Sequence, residues 1–400
     1  MGSDMEQLIE NYQKILKNDP LDISAIISLE EIYLQQKRWE DLIALYKKEA
    51  ESIKNPLYSS FLRWRMGKIF SEKLSDDISA ISELKKALEL NYRNREALKD
   101  LQTLCVKAGR WEEAVALFRT EAETSETPED RGHALFQIGV ILTDKLMDSK
   151  RGIEELEKAL ALDSNNASII EVLEKAYIKE SRWEDLAKLL ENRASSAKGK
   201  KDAVSLYYKA GRIRLEKLSN SQQALASLSK ALTLDPTHLE TLKLLKEILL
   251  KENQWNELPE TLEKEAEVLK ESPEAYNIHF SVGEIWKDRL SEPEKAIANF
   301  LRVLKLDPHH GESLQVLEDI LLQFRRWKEL IPVLERQLEK EKDPRQSLSI
   351  RLRIGLIWKN RLNNPDKAIL YFLKVLEMDP LNRMALHALN ETLSQNHRWE

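Results

Sequence analysis

Glycine and proline are both scarce in this chain, 11 and 12 among 400 residues, where usual shares are about 7% and 5%. So few turn residues cannot supply the turns of an all-β fold, and the same shortage excludes a collagen-like or disordered chain. Cysteine is reduced to Cys105, so neither an internal disulfide nor a Cys-rich zinc site can form. A lone thiol suits a reducing compartment, and a cytoplasmic location is expected. No basic segment with an apolar run opens the chain, so no signal peptide is expected. Glu6 stands where N-myristoylation needs serine or threonine. The longest apolar stretch, around residues 134–142, falls far below the roughly 20 residues of a membrane span. Neither sign of charge dominates: 62 Lys+Arg against 68 Asp+Glu leave a net −6, without the basic excess of a general nucleic-acid binder. Catalytic signatures are missing too. No H-E-x-x-H, phosphate loop, G-x-S-x-G or dinucleotide fingerprint occurs. The seven histidines are scattered, with His309 and His310 in a loop away from any acidic cluster at ligand spacing. No enzymatic activity, cofactor or metal is therefore expected.

What the chain has instead is a period. Trp39, Trp111, Trp183, Trp255, Trp327 and Trp399 are spaced 72 residues apart without slip. Gly67, Gly139, Gly211, Gly283 and Gly355 keep the same spacing, each followed two residues later by isoleucine. Within each 72-residue block the apolar spacing predicts four amphipathic helices. In the block around Trp183, the first carries Ile170, Leu173 and Tyr177, and Trp183 opens the second, with Leu186, Leu189 and Leu190 on one face. The third holds Leu206, Ala210 and Ile213 around Gly211, and the fourth starts near Ala224 and closes at Pro236. Asn364 before Pro365 reads as an N-cap followed by proline at the first helical position. Pro259 and Pro332 fall in or just past the first turns of two second helices, where shifted helix starts are expected. A single hairpin of this kind cannot cover its own apolar face, so its neighbours must. The expected fold is all-α: a right-handed superhelical solenoid of antiparallel helix hairpins.

The residues that carry this pattern resemble the tetratricopeptide repeat. Gly283, Ala296, Phe300 and Pro308 match the small residue, small residue, aromatic and closing proline of that family, as do Gly355, Ala368, Phe372 and Pro380. Gly211, Ala224, Ala231 and Pro236 match in part. The hairpins led by Leu29 and its equivalents are more divergent: Glu30, Gln102, Glu174, Lys246, Glu318 and Asn390 stand where the family prefers a small residue. Two repeat types therefore alternate. Residues 1–22 read as a partial repeat with a second helix alone, 23–382 as about ten repeats in one continuous solenoid, and 383–400 as a partial repeat with a first helix alone. This frame reads as a section of a longer array, because an array normally ends in a polar cap.

The resemblance implies a concave groove lined by first helices, which takes an extended peptide or a partner helix. Trp64, Phe136, Tyr208, Phe280 and then Leu352 recur three residues before each glycine and form an aromatic ladder. That ladder either lines the groove or packs between adjacent first helices. Acidic residues on the expected groove side include Glu31, Glu96, Glu171, Glu240 and Glu247, with Glu312 and Asp319, against Lys99, Lys175 and Lys243. The row Glu72, Asp144, Glu216 and Asp288 is followed each time by Lys73, Lys145, Lys217 or Arg289, which reads as local charge neutralisation. Between residues 321 and 363 basic residues outnumber acidic ones 11 to 5, but helical spacing spreads them over several helices, as on a solvated surface. The turn tryptophans read as seals between two helices, the glycines as points of close helix approach, and Cys105 as a buried structural thiol. The expected function is a non-catalytic protein–protein interaction scaffold for a basic or mixed-charge protein or peptide. The alternative is the regulatory or substrate-selecting arm of an enzyme whose catalytic domain lies outside this chain. No nucleic acid or membrane partner is expected, and the sequence leaves the oligomeric state open.

Overall fold

The structure, a computed structural model, describes residues 2–270 and 272–395. Among them are 22 α-helices, one π-helical segment and no strand. They form two compact units that divide between Leu189 and Leu190. The N-terminal unit holds α1 (Gly2–Asn18), α2 (Ile23–Gln35), α3 (Trp39–Ser52), α4 (Pro56–Lys73), α5 (Asp77–Leu90), α6 (Arg95–Lys107), α7 (Trp111–Thr124), α8 (Pro128–Asp144), α9 (Ser149–Leu162), α10 (Ala167–Lys179) and the start of α11 (Trp183–Ser196). The C-terminal unit holds α12 (Lys200–Glu216), α13 (Ser221–Leu234), α14 (Leu239–Lys251), α15 (Leu258–Leu269) and α16 (Pro273–Glu284), which continues as the π-helical segment Ile285–Arg289. It ends with α17 (Pro293–Leu306), α18 (Gly311–Gln323), α19 (Trp327–Lys340), α20 (Pro344–Asn360), α21 (Pro365–Met378) and α22 (Arg383–Gln395). The sixth tryptophan, Trp399, lies outside the described residues.

Within each unit consecutive helices pack as antiparallel hairpins, and the first helices of successive hairpins touch, as α4 does α6, α8 does α10 and α12 does α14. This is the all-α hairpin solenoid read from the period. The glycines set the spacing inside hairpins. A Cβ on Gly67, Gly139 or Gly211 would come within 2.4–2.8 Å of the buried Leu84, Leu156 or Leu228, and on Gly283 or Gly355 within 2.6–2.8 Å of Phe300 or Phe372.

The turns are as periodic as the helices. Residues 37, 109, 181, 253 and 325, two before each tryptophan, all have positive φ, yet glycine occupies just one of them, Gly109. Each turn closes with the paired carbonyl bonds of a Schellman motif, for example Arg38 N–H to Tyr33 O at 2.9 Å and Lys37 N–H to Leu34 O at 3.2 Å. N-caps recur at Asp22, Asn94, Asn166, His238, His310 and Asn382, whose side chains each accept a backbone N–H three residues on. His310, read above as a loop residue, is thus the cap of α18.

Three expectations need correcting. The helix that follows Ser219 starts at Ser221, not near Ala224, because Asn220 caps it. Pro259 does delay its helix, since α15 begins at Leu258 and leaves Trp255 in the turn, whereas Pro332 sits inside α19, which still starts at Trp327. The cations after the acidic row do more than neutralise it. Lys73, Lys145, Arg289 and Arg361 lie over the rings of Trp39, Trp111, Trp255 and Trp327, 34 residues earlier, at 5.0–5.8 Å from the centroids. The acids find other partners, as Glu72 does with Lys68 at 3.6 Å. These four turn tryptophans therefore each pack against a core cluster and carry a cation from the next hairpin, worth about 0.5–1 kcal/mol per exposed pair.

Candidate partner-binding surface

The ladder residues sit in the crease between successive first helices. Trp64 lies on α4, and its indole N–H donates to Asp100 of α6 at 2.8 Å. Tyr208 packs on the cluster of Leu228, Leu244 and Ile248, with its ring 5.8 Å from that of His238. Phe280 meets Phe300 edge-on at 5.5 Å and His310 at 5.4 Å. Phe136 lines an open cleft of about 660 Å³ between α8 and α10. All four rings are half-buried, with one edge packed and one edge at the surface.

The acidic residues fall at fixed places around this crease. Relative to the leucine series 29, 101, 173 and 245, Glu96 and Glu240 are five positions before, and Glu31 and Glu247 two after. Those offsets differ by seven, two helical turns, so they share a face. The adjoining positions line the crease: Ser168 the cleft beside Phe136, and Asp100 and Thr103 a smaller one beside Gly67 and Lys68. The structure joins Glu240 to the ladder through His238, whose Nε2 lies 3.4 Å from the carboxylate and whose ring lies 5.8 Å from that of Tyr208. Glu31, Glu96 and Glu247 are exposed. Glu171 stands apart, two positions before its leucine. It pairs with Lys175 at 2.7 Å, and that hydrogen bond holds its carboxyl below the usual range.

Some surface residues were not anticipated. Phe61 is 41% exposed and stacks between Tyr58 and Trp64 at 6.2 and 5.6 Å, making a ring strip along α4. The signal was available, since 58, 61 and 64 share a helical face. On the other side of the N-terminal unit, Leu88, Tyr92, Leu98, Ala116 and Leu117 wall an apolar cleft of about 420 Å³.

The polar residues that set the divergent hairpins apart have a structural role. Gln102 donates to Glu121 at 2.8 Å, Lys246 to Glu265 at 2.8 Å, and Gln337 to Glu318 at 2.8 Å. Each pair bridges the two helices of one hairpin. In α2–α3 the corresponding residues are Glu30 and Glu49, two acids. Arg65 and Tyr46 serve Glu30 at 2.6 and 2.8 Å, but Glu49 keeps one buried oxygen without a partner, and burial pushes its carboxyl above the usual range. The basic stretch 321–363 is largely engaged internally: Arg326 with Glu294 and Glu329, Arg353 with Glu318, Arg361 over Trp327. Cys105 is fully buried, and burial pushes its thiol up. No three His, Cys, Asp or Glu side chains among the described residues are placed to hold a metal ion. No helix among them is long and apolar enough to cross a membrane.

A repeated helical hairpin with its first-helix face open defines a protein-interaction scaffold of the helical-repeat class. Residues 25–57, 97–132 and 313–348 match one description of the tetratricopeptide repeat, and residues 204–238 match a second. The chain therefore contains tetratricopeptide repeats. Three of these matches fall on the hairpins α2–α3, α6–α7 and α18–α19, so the polar residue at Glu30, Gln102 and Glu318 does not take them out of the family. Among solved structures the chain is similar to YrrB, described as a TPR protein with an unusual peptide-binding site, at 21% identity over 50% of this chain and 97% of that one, TM-score 0.31. It is also similar to PilF of Pseudomonas aeruginosa, at 20% identity over 56% and 96%, TM-score 0.29. A third is the C-terminal part of a TPR repeat-containing protein from Cytophaga hutchinsonii, at 17% over 72% and 98%, TM-score 0.26. No curated protein sequence matches the chain.

Proposed function

We propose that the first-helix faces hold a segment of a partner protein, extended or helical, that is basic or of mixed charge. The observation that carries this reading is a ring brought to a carboxylate within each unit, Trp64 to Asp100 at 2.8 Å in the first and Tyr208 to the His238–Glu240 pair in the second, with Phe136 and Phe280 half-buried and Glu31, Glu96 and Glu247 exposed. Apolar ring edges supply contact area, and carboxylates supply steering and register. A scaffold with preformed helices loses little order on binding, so modest contacts spread over several hairpins can add up. Glu171 contributes less, since Lys175 already occupies it. We read the chain as non-catalytic and cytoplasmic, a setting that suits a buried, unpaired Cys105. We also read residues 23–382 as one series of about ten repeats, flanked by part-repeats at 1–22 and 383–400.

The test is a pull-down with the chain as bait, followed by crosslinking and mass spectrometry. Beside it runs a variant with Glu31→Lys, Glu96→Lys, Glu240→Lys and Glu247→Lys. The expected result is crosslinks from a lysine- or arginine-bearing partner segment to the first helices, and loss of that partner from the variant. Retention of the same partners by the variant, with crosslinks on second helices, refutes the reading.

A further inference from the structure

The repeat supplies its own control for the cleft beside Phe136. In three of the other blocks side chains at the matching positions meet the cap of the next first helix. Ser60 donates to Ala87 O at 2.7 Å and accepts from Asn94 at 3.0 Å. Tyr208 stacks near the His238 cap at 5.8 Å. Tyr276 and Phe280 close on the His310 cap at 6.0 and 5.4 Å. Around Phe136 neither kind of contact can form, because Gly132 has no side chain and its cap has no ring. Gly132 stands where Ser60, Val204, Tyr276 and Leu348 stand, and the cap is Asn166 rather than histidine. The result is an opening of about 660 Å³, within the roughly 300–1,000 Å³ of ligand sites. A Cβ on Gly132 would make ordinary contacts, 3.7 Å to Leu162, so close packing does not demand glycine here as it does at Gly139.

The chemistry of the walls narrows the occupant. Phe136 and Leu162 provide an apolar side, and Glu129 and Asp163 stand exposed at the rim. Neither of these acids is in an ion pair among the described residues, although Asp163 Oδ2 accepts a hydrogen bond from Asn166 Nδ2 at 3.0 Å, and His133 is the one lining residue that can carry positive charge. Asp163 follows the C-terminus of α9, where helix carbonyls add negative potential. The opposing N-termini of α8 and α10 are already capped by Thr127 and Asn166. A long aliphatic stem with a cationic tip satisfies both parts, stem on the rings and tip among the carboxylates. We propose that this cleft is a specificity pocket for one lysine or arginine side chain of the bound segment. The proposal rests on the reading of the first-helix faces given above and names the side chain that fixes register in the N-terminal unit.

Biotinylated octapeptide mixtures test it, each with one central residue fixed as Lys, Arg, Leu, Glu or Ala and the other positions randomised. Binding to the full chain is read by biolayer interferometry. The Lys and Arg mixtures are expected to bind at least about tenfold more tightly than the Ala, Leu and Glu mixtures, a difference of about 1.4 kcal/mol. Gly132→Leu, the residue the chain itself uses at Leu348, removes that preference by filling the cleft. Glu129→Gln with Asp163→Asn removes it without filling anything, so the test survives poor folding of the first variant. If the mixtures bind but Leu equals Lys, or the Gln/Asn variant keeps the preference, the pocket is overturned while the first-helix reading stands. If the native chain binds no mixture, that reading fails and takes the pocket with it.

Discussion

Replacing Gly139 by alanine adds one methyl group where α8 and α9 are closest. The new carbon would lie 2.4 Å from Leu156 Cγ, 2.7 Å from Leu156 Cδ2 and 3.2 Å from the Gly152 carbonyl oxygen, against about 3.5–4.0 Å for relaxed carbon contacts. Leu156 is fully buried, so its branch point has nowhere to turn, and the carbonyl belongs to the backbone. Two effects oppose each other. Alanine in a helix interior gains about 1 kcal/mol over glycine, and overpacking costs about 1–3 kcal/mol. With a buried branch point and a backbone atom both in the way, the cost lies near the upper end, for a net loss of about 2 kcal/mol. Gly311→Ala is the matched control, because nothing lies within 4 Å of its added carbon, and this variant is expected to be neutral or slightly stabilised. In a repeat array the damage is local, so hydrogen exchange of peptides from α8 and α9 reads it more directly than a global melt. A loss of about 2 kcal/mol speeds exchange there roughly 30-fold. Unchanged or slower exchange in Gly139→Ala, with Gly311→Ala behaving as expected, refutes the close-approach account of the glycine series.

Other variants test the turns, the caps and the buried acid. Lys37→Gly relieves a left-handed residue at φ 55° and is expected to stabilise by up to about 1 kcal/mol, while Gly109→Ala costs a similar amount; urea melts followed by circular dichroism measure both. His310→Ala removes the α18 cap and costs about 1 kcal/mol, whereas His310→Asn restores the cap that Asn94 and Asn166 use, which exchange of the first α18 amides can verify. Glu49→Gln recreates the Glu318–Gln337 pairing in α2–α3 and is expected to stabilise by about 1 kcal/mol at neutral pH. Burial raises the folded Glu49 carboxyl above its unfolded value, so its ionised form destabilises above that folded value and the penalty fades as pH falls toward about 4. The variant's advantage should fade with it, and equal stability at pH 7 counts against the reading. Arg361→Lys keeps the cation over Trp327 that Lys73 and Lys145 provide elsewhere, and Arg361→Ala loses about 0.5–1 kcal/mol by the same melts.

The glycine and cap positions show how much of the fold is local information. Helix spans follow from apolar spacing of three and four, and Asn364 from its own proline, because these signals act within a turn or two of the chain. The 72-residue period extends such local rules across the described chain, which is why the hairpin architecture was legible. A cap such as His310 was missed because histidine is an unusual capping residue, whereas a shifted start at Pro259 was legible, and α15 begins three residues after Trp255. The proposed binding places depend on residues brought together from about 35 positions apart. Nothing near Lys73 announces that it covers Trp39, and nothing near Glu30 announces Arg65. Glu171 and Glu240 look alike as letters, yet one is engaged by a neighbour on its own helix and the other is joined to the ladder through His238. The opening at Gly132 is lined from α8, the end of α9 and the start of α10, where Gly132 brings no side chain and the Asn166 cap no ring. The sequence by itself determined the period, the helices and the class of fold, since each is written in short-range spacing. Only the tertiary structure decided which carboxylates stay free and where a side chain can enter, since both depend on what the neighbouring hairpin places opposite.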